Sequence, residues 1–325
     1  MEKLLIVCGP TASGKTALAL DLAKKYNGEL VNADSRQLYE GLGVVTGKDV
    51  SDSATPTIVE RFSYKGSTYL IKKFEMNGIP IWLYDLIPSH ISVSIAIYQV
   101  AARLAIDHIR KKGKLPILVG GSGLYIRSIV DTIDTIQVPQ DEQLRAKLTR
   151  LTVVELQDVL SRVDSEKFAH MNHSDKHNPR RLVRAIEVAQ SYKKVTNKRD
   201  SQVQPSVDTF WIGLRHTEES LRSAIANRVT SRWENGAIEE VRVLRIANNS
   251  PSIMTSLGVT SILAYVDGTC TASDAKAAWV REEAAYAKRQ MVWFRKNPQI
   301  VWFDVSENTL YDQVEKRVDA WYTKF

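Results

Sequence analysis

The sequence contains very little cysteine and no hydrophobic run long enough to cross a lipid bilayer. Cys8 and Cys270 are the only cysteines among 325 residues, and they lie far apart without the spacing of a metal site. A disulfide framework is therefore excluded, and we expect two free thiols in a reducing compartment. The N-terminal residues also lack the pattern of a signal peptide. These absences predict a cytoplasmic protein that has no membrane partner.

Internal repeats and low-complexity segments are absent as well, and the rest of the composition is that of a globular chain. Hydrophobic residues make up 44% and charged residues 25% of the sequence, which is ordinary. A length of 325 residues exceeds the usual single domain and favours a core with a smaller second unit. The net charge of +7 favours a polyanionic partner, although solubility alone accounts for a charge of this size.

One motif near the N-terminus has the pattern G-x-x-x-x-G-K-[ST] of a phosphate-binding loop. Its residues are Gly9-Pro10-Thr11-Ala12-Ser13-Gly14-Lys15-Thr16. The apolar run 4–8 predicts a buried strand before the motif, and 17–25 predicts a helix after it. The glycines then let successive backbone N–H groups face one point beside a helix N-terminus. The alternative is an ordinary Gly/Ser turn that binds nothing.

Two side chains of this loop are suited to phosphate binding. Lys15 is expected to bind a phosphate through its positive charge, and the Thr16 hydroxyl is expected to ligate Mg²⁺. The motif recognises phosphates and not the group attached to them. It therefore predicts a ligand that carries a di- or triphosphate.

Two further strand ends are expected beside the loop. Residues 29–33 predict a strand that ends at Asp34, and 115–119 predict a strand that runs into the glycine-rich turn 120–125. Ligand sites of parallel sheets lie beyond the carboxyl ends of strands, so Asp34 and the Ser122 hydroxyl are candidate site groups. The alternative for Asp34 is that it only caps the next helix. Elsewhere, 62–70 predict a hairpin, and 79–86, 209–214 and 300–303 predict strands.

The middle of the chain is predicted to form a helical insertion into an α/β core. Helical patterns dominate from about 131 to 198, and we assign 129–204 to the insertion and 1–128 with 205–325 to a discontinuous core. Arg180 and Arg184 lie at positions i and i+4 of one predicted helix, where they share a face. Phosphate contact is one interpretation, and a solvated face with Glu187 as the partner is the other.

A long helix predicted over 274–295 combines basic and aromatic residues. Arg281, Lys288 and Arg295 recur every seven residues, so they lie near one face. Lys288-Arg289 is followed by Trp293-Phe294, a pairing that suits nucleic acid. The alternative is a buried aromatic stripe with a solvated basic back.

Taken together, six segments in this order resemble the tRNA dimethylallyltransferase family, and the resemblance extends over nearly the whole chain. The segments are 9–16, 34–37, 120–125, 180–187, 236–241 and 286–295. The resemblance implies an α/β fold, with a P-loop NTPase-like parallel sheet flanked by helices and a helical insertion domain. It also implies transfer of a dimethylallyl group from dimethylallyl diphosphate, with Mg²⁺, to N6 of adenosine 37 in tRNA.

The resemblance assigns roles to individual residues. Asp34 is the expected base, Lys15 and Arg228 are expected to bind diphosphate, and Ser122 stands where the family usually has threonine. Adenosine 37 must leave its stack to react. The insertion is expected to bind the anticodon stem-loop. The residues expected to contact tRNA are Asp34, Ser35, Arg36, Gln37, Arg180, Arg181, Arg184, Lys288 and Arg289. We expect a monomer. The chain departs from the family's usual pattern at 82–85, in the length of 49–80, and at 258–259.

Three other functions remain open from the sequence. The same chemistry on a free adenine nucleotide, as in adenylate isopentenyltransferases, would not need the helical insertion or the basic charge. A small-molecule kinase would use ATP at the phosphate-binding loop. An RNA-binding protein with a vestigial loop would not need Lys15, Thr16 and Asp34.

Overall fold

The computed structural model describes residues 2–48, 50, 54–92, 94–194, 207–247 and 249–323. Its chain divides into two compact units. One consists of Met1–Asp131 with Ser206–Phe325, and the other of Thr132–Pro205. Within the described residues, no helix has both the length and the apolar character needed to cross a bilayer.

Among the described residues, the first unit is built on one sheet of eight strands in the order β3-β4-β5-β2-β6-β1-β7-β8. In this order, β5, β2, β6, β1, β7 and β8 run parallel to one another. The β3–β4 hairpin lies at one edge of the sheet, where β4 pairs antiparallel with β5. An α/β fold with a mostly parallel sheet is thereby confirmed. The strands are β1 (Lys3–Cys8), β2 (Gly28–Asn32), β3 (Thr57–Tyr64), β4 (Ser67–Met76), β5 (Ile79–Trp82), β6 (Leu115–Gly120), β7 (Asp208–Arg215) and β8 (Ile300–Asp304).

Helices connect and cover these strands. In chain order they begin with α1 (Lys15–Lys25), α2 (Ile95–Lys111), α3 (Gly123–Val130), α4 (Glu142–Leu148), α5 (Val153–Val163), α6 (Ser165–His170), α7 (His173–Lys176) and α8 (Pro179–Lys194). They continue with α9 (Glu218–Arg232), α10 (Ile238–Ile246), α11 (Pro251–Met254), α12 (Val259–Val266), α13 (Ala272–Phe294) and α14 (Leu310–Tyr322). Helices α4 to α8 belong to the second unit.

The sheet separates two hydrophobic cores because neighbouring residues of a strand face opposite sides. Leu4, Ile6 and Cys8 of β1 pack into the core that includes α2, α9, α12 and α13. Leu5 and Val7 pack into the core that includes α1 and α14. Because both faces are covered, the central strands are mostly apolar, with Glu29 and Asn32 of β2 as buried exceptions, and this is why they could be recognised in the sequence.

The second unit has a small core of its own around α5 and α8. Leu156, Leu160, Leu182 and Ile186 are buried there. Helix α5 begins with a capping box, in which Thr152 and Glu155 each satisfy a backbone N–H group of the other.

One predicted strand is shorter than expected. The sequence predicts a strand over 79–86, but β5 ends at Trp82. Leu83 and Asp85 have positive φ angles of 71° and 53°, so the backbone turns away from the sheet.

Candidate active site

Three loops converge at the carboxyl ends of the adjacent strands β2, β6 and β1. They border a cavity of about 350 Å³ that lies wholly within the first unit. Of the residues selected from the sequence, the cavity is lined by Thr11, Ala12, Ser13, Gly14, Lys15, Thr16, Asp34, Arg36, Gln37 and Arg228. Gly9, Pro10, Ser35 and Ser122 do not line it.

The phosphate-binding loop adopts the backbone shape that its glycines allow. Gly14 has a φ angle of 76° and directly precedes α1. Gly9 has a φ angle of 147°, and a Cβ atom there would lie 2.7 Å from the backbone oxygen of Leu214. A side chain at either position would therefore strain the loop or displace the neighbouring strand.

Lys15 lies within this loop and is held by it. Its Nζ atom donates to the Pro10 carbonyl oxygen and lies 3.4 Å from Ser13 Oγ. Burial and, next, the positive charge of Arg228 lower the pKa of Lys15 to about 8. An anion bound beside Lys15 would favour the charged form of the lysine, so a negatively charged ligand and the protonated lysine would stabilise each other.

Thr11 is held from outside the loop by two helices. Its backbone N–H donates to Gln290 Oε1 at 2.8 Å. Its hydroxyl donates to Glu283 Oε2 at 3.0 Å and accepts from Arg228 Nη1 at 2.7 Å. The Thr11 amide is thus already engaged and is not one of the N–H groups that face a ligand.

Two arginines of α9 reach the site. Arg232 forms an ion pair of 3.1 Å with Glu283, and both side chains are less than a tenth exposed. Gly47 lies against these arginines, since a Cβ atom there would be 2.5 Å from Arg228 Nη2 and 2.1 Å from Arg232 Nη2. The sequence indicated Arg228 as a site residue and gave no role to Arg232.

Asp34 follows β2 and closes a tight turn. Its Oδ1 atom accepts from the Arg36 N–H at 2.9 Å. The segment after Asp34 is a turn and not a helix, so the alternative of a helix cap is wrong. Within the described part of the chain, the second carboxylate oxygen of Asp34 has no hydrogen bond. This half-buried carboxylate on the cavity wall can accept a proton.

Ser122 is placed differently from the expectation. Its Oγ atom accepts from the Ser35 N–H at 3.0 Å, and its own N–H donates to the Ala33 carbonyl at 3.1 Å. The hydroxyl therefore ties the turn after β6 to the turn after β2, and Ser122 is not among the residues that line the cavity. A catalytic role for Ser122 stays a prediction.

Helix α13 contributes three residues to the cavity that the sequence reasoning missed. Glu283, Tyr286 and Gln290 all line it. Burial, and next the negative charge of Asp34, raise the pKa of Tyr286. A signal was present in the sequence: two polar residues, Glu283 and Gln290, stand at positions where the helix otherwise buries Trp279, Ala287 and Phe294. Polar side chains at buried positions are uncommon without a partner.

The outer face of α13 is basic, as expected. Arg281, Lys288, Arg289 and Arg295 are exposed. The aromatic residues are less exposed: Phe294 is fully buried, and the half-buried Trp293 ring packs on Gly123. The expected pairing of basic and aromatic surface is therefore wrong for Phe294, which belongs to the core.

The three selected arginines of the second unit have different surroundings. Arg184 donates to the buried carboxylate of Glu187 and to the Val138 carbonyl. Arg181 forms an ion pair with Asp175. Arg180 is exposed and has no ion pair among the described residues. The interpretation with Glu187 as the partner thus holds for Arg184.

Few groups in the site could hold a metal ion. The described residues contain no cluster of three or more His, Cys, Asp or Glu side chains that could form a metal site. The Thr16 hydroxyl lines the cavity and has no hydrogen bond within the described ranges. This donor set fits Mg²⁺ only as an ion held mainly by ligand phosphates and water, which is its usual mode of binding.

Comparison with known sequences gives a consistent result. A family model described as IPP transferase matches residues 67–297. A tRNA dimethylallyltransferase of Anoxybacillus flavithermus is 33% identical over 317 residues, which span 96% of this chain and 93% of the relative. A tRNA dimethylallyltransferase of Exiguobacterium sp. is 35% identical over 324 residues, with 96% of each chain covered.

Solved structures agree with these sequences. The tRNA isopentenylpyrophosphate transferase of Bacillus halodurans superposes with a TM-score of 0.67 at 28% identity, over 99% of this chain and 97% of the other. A eukaryotic dimethylallyltransferase acting on tRNA superposes with a TM-score of 0.74 over 98% of this chain and 78% of its own. At 20% identity, that second likeness supports the fold alone.

Proposed function

Because this chain belongs to the tRNA dimethylallyltransferase family of prenyltransferases, we propose that it transfers a dimethylallyl group from dimethylallyl diphosphate to N6 of adenosine 37 in tRNA. One observation carries the proposal. A phosphate-binding loop with a nearby arginine and a half-buried carboxylate line the same cavity, at the carboxyl ends of β1 and β2, which flank β6 in the sheet. A prenyl transfer to an amine needs these two kinds of group together.

The phosphate-binding loop and Arg228 stabilise the leaving group. As the C1–O bond of the allylic diphosphate breaks, its electron pair leaves with the diphosphate and increases the negative charge there. Lys15 and Arg228 are fixed beside that charge before the reaction begins, so little reorganisation is needed. The positive end of α1 contributes in the same sense.

Thr16 is the residue that would hold Mg²⁺. When bound, the ion would neutralise part of the negative charge of the diphosphate. Thr16 stands at the start of α1, next to Lys15, so both lie beside the same phosphate groups.

Asp34 acts on the amine. The exocyclic amine of adenine is a poor nucleophile, because its lone pair is delocalised into the ring. As N6 attacks C1 and the C–N bond forms, a proton must leave N6, and Asp34 is the carboxylate on the cavity wall that accepts it. The adenine must first be unstacked, since a stacked base cannot bring N6 into a cavity.

The tRNA would contact basic residues of both units. In the first unit, Lys288 and Arg289 are exposed on α13, the helix whose Glu283, Tyr286 and Gln290 line the cavity. In the second unit, Arg180 is exposed on α8. A mononucleotide would need none of these residues, and this is the reason to propose tRNA as the acceptor.

The test is a transfer assay with radiolabelled dimethylallyl diphosphate and Mg²⁺. Purified protein is incubated with unmodified tRNA, with the same tRNA carrying guanosine at position 37, or with AMP. We expect label in the first acceptor alone. Label in AMP would make the protein a nucleotide prenyltransferase, and label in the guanosine variant would contradict position 37. No transfer to any acceptor would overturn the proposal, and phosphorylation with labelled ATP would then be tested.

A further inference from the structure

The cavity has two halves that come from different parts of the sheet. The phosphate-binding loop after β1 forms the half that would hold the leaving group. The turn after β2, which carries Asp34, forms the half that would receive the amine. This second half is tied to the turn after β6, because Ser122 hydrogen-bonds both Ala33 and Ser35.

One side chain joins the two halves. Gln290 Oε1 accepts from the Thr11 N–H of the phosphate-binding loop at 2.8 Å. Gln290 Nε2 donates to the Gly121 carbonyl of the turn after β6 at 3.0 Å. Gln290 is only 5% exposed, and a Cβ atom on Gly121 would lie 2.1 Å from Nε2. The bridge therefore requires both the amide at 290 and the glycine at 121.

We propose that Gln290 is a positioning residue that sets the distance and angle between the diphosphate and the amine acceptor. The inference rests on the proposed function, because it concerns the alignment of the two substrates of that reaction. In this role Gln290 forms no covalent bond with either substrate and transfers no proton.

An amide is the side chain that this bridge needs. It donates and accepts at the same time, and the two loops present one N–H and one C=O. A carboxylate would still accept from Thr11 but would face the Gly121 carbonyl with a second negative oxygen. An alanine would leave the partly buried Thr11 N–H and the buried Gly121 carbonyl without this partner.

The expected consequence is a loss of kcat with little change in substrate affinity. Each half of the cavity keeps its own binding groups when the bridge is removed, so each substrate still binds. The reacting atoms are then misaligned, and a displacement of about 1 Å costs about 100-fold in rate. Replacing a residue that only stabilised the fold would lower the active fraction and the melting temperature, without a loss of kcat in the folded enzyme at unchanged substrate affinity.

The experiment compares Gln290→Ala and Gln290→Glu with wild type and with Gln99→Ala. Gln99 is a matched control, since its Nε2 atom donates to the Ser128 carbonyl at 2.6 Å and the residue does not line the cavity. For each protein, kcat is measured with dimethylallyl diphosphate and tRNA, and the dissociation constants of both substrates are measured separately. We expect kcat to fall about 100-fold in the two variants at 290, with both dissociation constants within about threefold of wild type.

The pH dependence of Gln290→Glu gives a second readout. A buried carboxyl group has a raised pKa, and once protonated it again offers one donor and one acceptor. The ratio of the variant's kcat to the wild-type kcat is therefore expected to rise as the pH falls from about 8 to about 6. A packing defect would not produce that trend.

The outcomes separate this inference from the proposed function. If wild type transfers no label to tRNA, the proposed function fails. If wild type is active and Gln290→Ala keeps its kcat, the bridge does not position the substrates. The inference is also overturned if Gln290→Ala weakens the binding of one substrate in proportion to its loss of rate, because Gln290 is then a binding residue.

Discussion

Arg232 and Glu283 form a buried ion pair beside the phosphate-binding loop, with 3.1 Å between Arg232 Nη1 and Glu283 Oε1. The carboxylate also accepts from the Thr11 hydroxyl, which in turn accepts from Arg228. One anion in the wall of a cationic site thus holds two arginines in place, one directly and one through a threonine.

We predict that Arg232→Ala destabilises the protein by about 3–5 kcal/mol, because it leaves the Glu283 carboxylate buried without its partner. Denaturant unfolding measures the change. Arg222→Ala is the control on the same helix: Arg222 pairs with Glu218 at 3.8 Å, but both side chains are exposed. Its loss should cost less than about 1 kcal/mol. Equal effects of the two substitutions would show that burial of the pair is unimportant.

Asp34→Asn is expected to lower turnover by about 100-fold or more, while tRNA affinity stays nearly unchanged. Asparagine can still accept from the Arg36 N–H, so the turn is kept and only the proton acceptor is lost. Asp304→Asn is the control, since Asp304 closes a similar turn by accepting from the Ser306 N–H at 3.0 Å. Single-turnover transfer to tRNA measures the effect, and wild-type turnover in Asp34→Asn would reject Asp34 as the base.

Lys288→Ala and Arg289→Ala should each weaken tRNA binding and reduce its dependence on salt. Each phosphate contact that is lost lowers the slope of log K against log salt by about 0.7–0.9. Lys316→Ala on α14 removes an exposed lysine elsewhere and should change neither quantity. Filter binding over a salt series measures both. Unchanged slopes at 288 and 289 would show that this face of α13 does not contact tRNA.

Arg180 and Arg184 should behave differently when each is replaced by alanine. Arg184→Ala removes a hydrogen bond to the buried Glu187 carboxylate, and we expect a loss of about 2 kcal/mol in stability. Arg180→Ala should leave stability unchanged and weaken tRNA binding. Unfolding curves and tRNA titrations on both variants give the comparison. A tRNA affinity that is insensitive to Arg180→Ala would remove Arg180 from the proposed interface.

Acid should destabilise the protein partly through Glu29. Burial opposes ionisation of this carboxyl, but hydrogen bonds from Lys114 and Trp82 and the charge of Lys112 lower its pKa below the ordinary 4.5. The folded state thus favours the carboxylate. The resulting stability is present above pH 4.5 and is lost as the pH falls through the lower pKa that Glu29 has in the folded protein. Glu29→Gln should therefore be less stable at neutral pH and lose less stability in acid. The exposed Glu234→Gln serves as control, and identical acid profiles for wild type and Glu29→Gln would contradict the prediction.

Local patterns of residues were enough to predict several parts of this protein. The glycines at 9 and 14 shape the phosphate-binding loop through their own φ angles, and the loop lies between a strand and a helix as predicted. The central parallel strands were recognisable because strands buried on both faces are apolar at most positions. The basic face of α13 follows from the helical period alone.

Which side chains meet depends on contacts that form only in the folded chain. Gln290 contacts Thr11 across 279 positions of chain, and Glu283 contacts Arg232 across 51. Contacts between distant segments leave no periodic pattern in one sequence, so neither could be foreseen. The same holds for Ser122, whose hydroxyl accepts from the Ser35 N–H, a contact that the sequence did not predict. A residue type states which hydrogen bonds a side chain can make, and the packing of strands and helices selects the partner.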